Sequence, residues 1–195
     1  YVRYVGEPIA AVVAVDPYAA EDAAELIYPD IESMEALTDA EAAVAPGAPT
    51  SHAPWGNEAA RLRVGYGDID AAFAGAAHVV SARLTVGRHA AVPLECRGLL
   101  ASPASDGGID IWGPTKVPNF NRRLLAHLLD RDPESIHIHT IDAGGGFGAR
   151  GEFYPEDFLV PYLALHLNRP VKWIEDRAEN LVALNHSREQ VHGIE

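Results

Sequence analysis

One cysteine, Cys96, stands in 195 residues. That excludes a disulfide within the chain and any zinc site built on paired cysteines, and it fits a reducing compartment. Positive charge is also short, with 15 Lys and Arg against 28 Asp and Glu and a formal net charge of -13. A broad phosphate-binding face needs an excess of Lys and Arg, so nucleic acid is not an expected partner. No run approaches the ~20 apolar residues of a membrane span. Nor does a basic segment followed by an apolar one open the chain, so no secretory signal is read and the cytoplasm is the expected location. There is no initiator methionine: the chain begins in the strand-like "YVRYVGEPIAAVVAVD" and stops at "HSREQVHGIE", which reads as the opening of another strand. The expectation is a piece of a longer polypeptide.

What is present is ordinary for a folded protein, 48% hydrophobic and 22% charged residues, which argues against disorder or a fibre. The apolar run at residues 8–15, "PIAAVVAV", predicts a buried strand. Asp16 and Pro17 then offer an N-cap and a first helical position for "YAAEDAAELI". Pro, Gly and small polar residues fill 46–67, the best candidate linker. Asp68 should cap a short helix, and residues 96–113 should form a hairpin turning at Asp106, Gly107 and Gly108. A helix follows Pro118, with Phe120, Leu124 and Leu128 spaced by four on one face. Then come a strand at 135–142, a glycine-rich loop, a helix that Pro161 should kink, a strand at 169–176 and a short helix. Strands and helices interleave irregularly and hairpins occur, so the fold class is α+β.

The loop is the chemically informative stretch. Four glycines and Phe147 occupy the five positions 144–148 between a strand and a helix. Glycines let backbone N–H groups approach a ligand, and a helix N-terminus adds partial positive charge. A P-loop needs Lys and then Ser or Thr after the last glycine, whereas Ala149 and Arg150 follow Gly148. The dinucleotide pattern G-x-G-x-x-G fails as well, since Gly144, Gly146 and Gly148 fall as G-x-G-x-G; Glu175 or Asp176 would stand where its acidic residue belongs. Tight packing alone could account for the glycines. A large apolar residue inside the run is better explained as a wall beside a ligand.

The segment "DAGGGFGARGEFYPEDFLVPYLALHLNRPVKWIEDRAENLVALNHSREQ" resembles the molybdenum-binding large subunit of the xanthine dehydrogenase, aldehyde oxidase and carbon monoxide dehydrogenase family. So do "VRYVGEPIAAVVAVDPYAAEDAAELI", "GDIDAAFAGAAHVV" and "RHAAVPLECRGLLA", in the family's order. The resemblance implies that residues 1–45 end an α/β hammerhead domain, 46–67 link, and 68–195 begin the molybdopterin-binding domain. It implies a molybdenum–molybdopterin cofactor, in the cytosine dinucleotide form, and oxidation of an aldehyde or N-heterocycle with water as the oxygen source. Iron–sulfur clusters and FAD on partner chains or domains would carry the electrons away, and the remainder of the large subunit would be a partner too. Gly145, Gly146, Phe147, Gly148, Ala149 and Arg150 would bind the cofactor, with the backbone of Phe147 near molybdenum.

Two departures from the family pattern stand out. Many members follow a Thr with a Gln that supports the apical oxygen on molybdenum, whereas "GPTKVPNF" places Lys116 there as a hydrogen-bond donor or electrostatic stabiliser. Purine-hydroxylating members carry a Glu where this chain has Gly151, which weighs against xanthine, although Glu152 is adjacent. The catalytic base of the family is a Glu beyond this chain, so the chain alone is expected to be inactive. A cofactor-free scaffold or binding module of the same fold is the alternative. Among other residues, Glu95 should pair with Arg97 or Arg88, and Arg150 with Glu152 or Glu156 if it does not reach the cofactor. His137 and His139 share a strand face as packing or surface residues, and Asp176 should cap the last helix.

Overall fold

The structure is a computed structural model that describes all 195 residues. They divide into two units, Tyr1–Pro29 with His89–Ser187, and Asp30–Arg88 with Arg188–Glu195. In chain order the elements are α1 (Pro17–Ala24), α2 (Ala40–Ala43), α3 (Ile69–Gly75), β1 (Ala82–Val86), β2 (His89–Ala90), β3 (Gly98–Pro103), β4 (Ile109–Trp112), α4 (Pro118–Leu129), β5 (Ile136–His139), α5 (Pro155–Leu167), β6 (Val171–Ile174), α6 (Arg177–Ala183), β7 (His186–Ser187) and β8 (Gln190–Ile194). Short 3-10 turns lie at Pro133–Ser135 and Ala149–Gly151.

The first unit is built on a four-stranded sheet of order β5-β4-β3-β6. The β3–β4 and β3–β6 pairs are antiparallel, while β4–β5 is parallel because α4 carries the chain back across the sheet. A mixed sheet with one hairpin and two helical crossovers, α4 between β4 and β5 and α5 between β5 and β6, is the expected α+β class. The register explains the core. Ala101 lies opposite both Ile111 and Val171, Leu99 opposite Trp173, and Ile109 and Ile111 opposite Ile136 and Ile138. Successive strand residues alternate faces, so these apolar side chains share one face, and Leu125 and Ala126 of α4 with Val160 and Ala164 of α5 close over it. The opposite face carries Asp110, Trp112, His137 and His139, where the His139 ring stacks on Trp112 at 5.0 Å. Both histidines lean on the Asp110 carboxylate, and no group of three or more His, Cys, Asp or Glu gathers to hold a metal.

In the second unit, β1 and β8 form an exposed antiparallel pair with Leu84 opposite His192. Helix α3 starts at Asp68, whose carboxylate accepts from the Ala71 N–H at 2.9 Å.

Capping signals are met where they were expected. Asp16 accepts from the Ala19 N–H at 2.9 Å and Asp176 from the Glu179 N–H at 2.7 Å. Two expectations fail. Residues 8–15 form no strand, and Ile9 and Val15 lie exposed. A strand persists only on a partner edge, and no extended segment of this chain pairs with that run. In α4 the buried residues are Asn121, Leu125 and Ala126, while Phe120 and Leu128 face outward. Leu125, Ala126 and Leu129 are the residues of α4 that pack on the core, and on that side the Asn121 amide donates to the Thr115 hydroxyl at 3.0 Å.

Candidate functional site

The glycine loop leaves the sheet after β5 and runs into the Ala149–Gly151 turn ahead of α5. Three of its residues have positive φ, Gly145 at 105°, Phe147 at 47° and Gly148 at 93°. Glycine takes such angles freely, whereas a residue with a Cβ is strained there by roughly 1–2 kcal/mol. Phe147 bears that strain and still lies 78% exposed. An exposed, strained aromatic contributes little to the fold.

The inner side of the loop is tied down. The Glu95 N–H donates to the Gly144 carbonyl at 3.2 Å, and the Glu95 carboxylate accepts from the Gly144 N–H at 2.7 Å. Arg150 folds back under the loop, donating from Nε to the Gly145 carbonyl at 2.7 Å. Its Nη2 reaches the Glu95 carboxylate at 2.8 Å and the carbonyls of Glu95 and Cys96 at 3.1 and 3.4 Å. The structure therefore corrects two pairings: Glu95 joins Arg150 rather than Arg97 or Arg88, and Arg150 joins neither Glu152 nor Glu156. Ala149 is buried, its N–H bound to the Gly146 carbonyl at 2.9 Å.

The outer side is free. No protein group accepts from the N–H of Gly145, Gly146, Phe147 or Gly148. A Cβ built on Gly148 would meet nothing within 4 Å, and one on Gly146 only the Arg150 stem at 3.9 Å. Neither residue is held to glycine by protein packing. Lys116 is exposed beside this turn, its N–H bound to the Arg150 carbonyl at 3.1 Å and its Cδ 3.4 Å from where a Cβ on Gly151 would stand.

Behind the loop lies a buried charge cluster that the sequence hardly signalled. Arg97 donates to Glu175 from its backbone at 3.0 Å and its Nε at 2.9 Å, and reaches Glu156 at 3.1 Å. Its guanidinium lies 4.0 Å from the centre of the Tyr154 ring and 5.2 Å from that of Trp173. Burial pushes the Glu175 carboxyl up, but the hydrogen bonds from Arg97 and Asn180 outweigh it and hold the group below its usual range. Tyr154 also donates its hydroxyl to the Ala149 carbonyl at 2.8 Å, joining cluster to loop. Arg177 donates to the carbonyls of Pro93 and Leu94 at 2.8 and 2.7 Å, bracing the segment that carries Glu95. The only signals for this cluster were isolated charges around two apolar strands.

Asp157, next to the cluster, accepts from the Tyr154 N–H at 2.8 Å. Burial, opposed by that bond, pushes its carboxyl from 3.8 up to about 6. Below pH 3.8 the group is protonated folded or unfolded, and the full benefit of its raised pKa is present. As pH rises through about 6 the folded group must ionise in a poor setting, and that benefit is lost. Asp157→Asn, which keeps the acceptor, should therefore be more stable than the natural chain by about 1–3 kcal/mol at pH ~8. The gain should vanish near pH ~4, where the natural side chain is neutral. Urea unfolding at both pH values checks this, and an equal difference at both would rule it out.

Comparison with known proteins agrees with this geometry. Residues 52–195 match the family described as the molybdopterin cofactor-binding domain. Over 195 residues the chain is 40% identical to the 6-hydroxypseudooxynicotine dehydrogenase complex subunit gamma of Paenarthrobacter nicotinovorans, covering 100% of this chain and 24% of that protein. It is 30% identical over 203 residues to the carbon monoxide dehydrogenase large chain of Afipia carboxidovorans, covering 96% of this chain and 25% of that one. Among solved structures, quinoline 2-oxidoreductase from Pseudomonas putida 86 superposes with a TM-score of 0.80 at 32% identity, covering 92% of this chain and 23% of that one. This chain belongs to the molybdopterin cofactor-binding family of molybdenum-dependent dehydrogenase large subunits, and it spans about a quarter of the length of the relatives it matches. The loop fits such a group, because its unpaired amides and open Cβ positions suit a ligand that meets backbone rather than side chains. No helix is long and apolar enough to cross a membrane.

Proposed function

We propose that this chain is the part of a molybdenum hydroxylase large subunit that forms the glycine-loop wall of the active site. The observation that carries the reading is the row of four consecutive amides, Gly145 to Gly148, that no protein group accepts from, beside an exposed Phe147. Gly145, Gly146, Phe147 and Gly148 form the surface toward the cofactor and Phe147 walls the substrate space, with the Phe147 backbone on the metal side. Ala149 and Arg150 shape that surface from beneath. Lys116 adds a positive charge at the rim, suited to developing negative charge.

When bound, the cofactor supplies two-electron oxidation of a carbon centre, with oxygen drawn from water. Its cytosine dinucleotide form, and iron–sulfur clusters and FAD on partner chains or domains, belong to the same reading. So does the division into a hammerhead end at 1–45, a crossing at 46–67 and the opening of the molybdopterin-binding domain at 68–195; the family match, which starts at residue 52, covers all of the last part and most of the crossing. Relatives named for 6-hydroxypseudooxynicotine and quinoline favour an N-heterocycle over an aldehyde as substrate. The absence of a carboxylate at Gly151 weighs against purines.

One observation favours a second reading, a cofactor-free scaffold of the same fold: Lys116 is exposed to solvent. Elemental mass spectrometry and pterin fluorescence on the parent protein separate the two. Molybdenum and pterin at about one per chain are expected for a hydroxylase. A well-folded parent holding neither would establish the scaffold.

A further inference from the structure

We propose that Arg150 and Glu95 are positioning residues that decide which way the loop peptides face, so that the loop's amides are presented to the cofactor before it binds. The proposal rests on the reading of the loop as a molybdopterin site, and it gives Arg150 a role without contact to that group.

The argument is stereochemical. The loop peptides are trans, and in a trans peptide the C=O and the following N–H point in opposite directions. The Gly144 carbonyl is turned inward to the Glu95 N–H, so the Gly145 N–H must face away from Glu95. The Gly145 carbonyl is held by Arg150 Nε at 2.7 Å, so the Gly146 N–H must face away from Arg150. The Gly146 carbonyl is taken by the Ala149 N–H at 2.9 Å, which turns the Phe147 N–H outward in its turn. Two carbonyls pinned by Glu95 and Arg150, and a third closed into the loop's own turn by Ala149, therefore set the direction of three amides.

Arg150 suits this task and is poorly placed for another. It is only 8% exposed. Its four hydrogen bonds, from Nε and Nη2, all end on protein oxygens, and its charge is matched by Glu95, so only Nη1 is left for a ligand. The Glu95 carboxylate closes the arrangement by accepting from both Arg150 and the Gly144 N–H. A loop with three positive-φ residues in four, one of them a phenylalanine, holds its shape only if the surroundings over-determine it.

The test uses the parent protein carrying Arg150→Lys or Glu95→Gln. Lys keeps the positive charge, but one ammonium cannot replace Nε and Nη2, which hold Gly145 and Glu95 from separate atoms. Hydrogen exchange is read on protein made in a host that cannot synthesise molybdopterin, so that ligand protection does not enter. Exchange at the Gly144 and Ala149 amides, the two of residues 144–149 that a protein group accepts from, should accelerate about tenfold or more in Arg150→Lys, as expected for losing a hydrogen bond to a charged group. Peptides from β3 and β6 should be unchanged. Pterin retained by the same variants, made in a competent host, should fall about tenfold or more.

Two results overturn the proposal: both variants keep wild-type loop exchange and pterin, or pterin is lost while loop exchange stays at the wild-type rate, which would assign Arg150 a direct contact. A wild-type parent without pterin overturns the functional reading instead, and the exchange measurement still decides whether Arg150 and Glu95 hold the loop.

Discussion

Arg97→Met is expected to cost the parent protein about 3–5 kcal/mol of stability, because it leaves two buried carboxylates without their cation. The Glu175 side chain is 0% exposed and that of Glu156 11%. Removing the Arg97 side chain leaves Glu175 only neutral donors, the backbone N–H of residue 97 at 3.0 Å and the Asn180 amide at 2.6 Å. It also removes the cation between the Tyr154 and Trp173 rings, each contact worth about 0.5–2 kcal/mol. The acid limb follows from Glu175, whose folded carboxyl lies below its usual range. Its contribution is present above the unfolded pKa and disappears as pH falls through the lower folded value. Stability lost on acidification should therefore be smaller in the variant than in the natural chain. Urea unfolding against pH measures both effects, and a loss under about 1 kcal/mol would show that the cluster is held by packing alone.

Gly148→Ala should separate ligand from fold. The added methyl meets no protein atom within 4 Å, so its cost to the empty protein is backbone strain at φ 93°, about 1–3 kcal/mol. A cofactor lying against the loop would meet that methyl directly. We expect pterin content to fall about tenfold or more while the parent still folds, since displacing a buried contact costs at least 1.4 kcal/mol, or about tenfold. Gly107→Ala is the matched control, with φ 86° and an equally open Cβ position in the β3–β4 turn. It should lose stability by a similar amount and keep its pterin. Equal pterin in the two variants would remove the cofactor from the face of Gly148.

Local signals in the sequence carried far, and non-local ones did not. Asp16, Asp68 and Asp176 each announced a helix start, because a cap is a bond between residues three apart. The hairpin at Asp106, Gly107 and Gly108 was equally visible. The strand at residues 8–15 was not to be had from its apolar run, since a strand also needs an edge to pair with. The buried face of α4 was set by the sheet it covers, where Leu125, Ala126 and Leu129 meet the core, and not by the spacing of Phe120, Leu124 and Leu128. At the site, the glycine pattern pointed to the loop and to a ligand of backbone amides. The partners of Arg150 and Arg97 stayed hidden because Glu95 and Glu175 lie 55 and 78 residues away along the chain. Nearby carboxylates, Glu152 and Glu156 for Arg150, were the natural guesses, and the fold passed them over.

A structure of the loaded parent protein would test the central claim most directly, through the distance from the cofactor to the loop amides. The account predicts that acceptor atoms of the cofactor lie within hydrogen-bond reach, about 2.7–3.2 Å, of the Gly145 or Gly146 nitrogen, with Arg150 still turned back onto Glu95. A cofactor bound elsewhere, with those amides facing water, would contradict it.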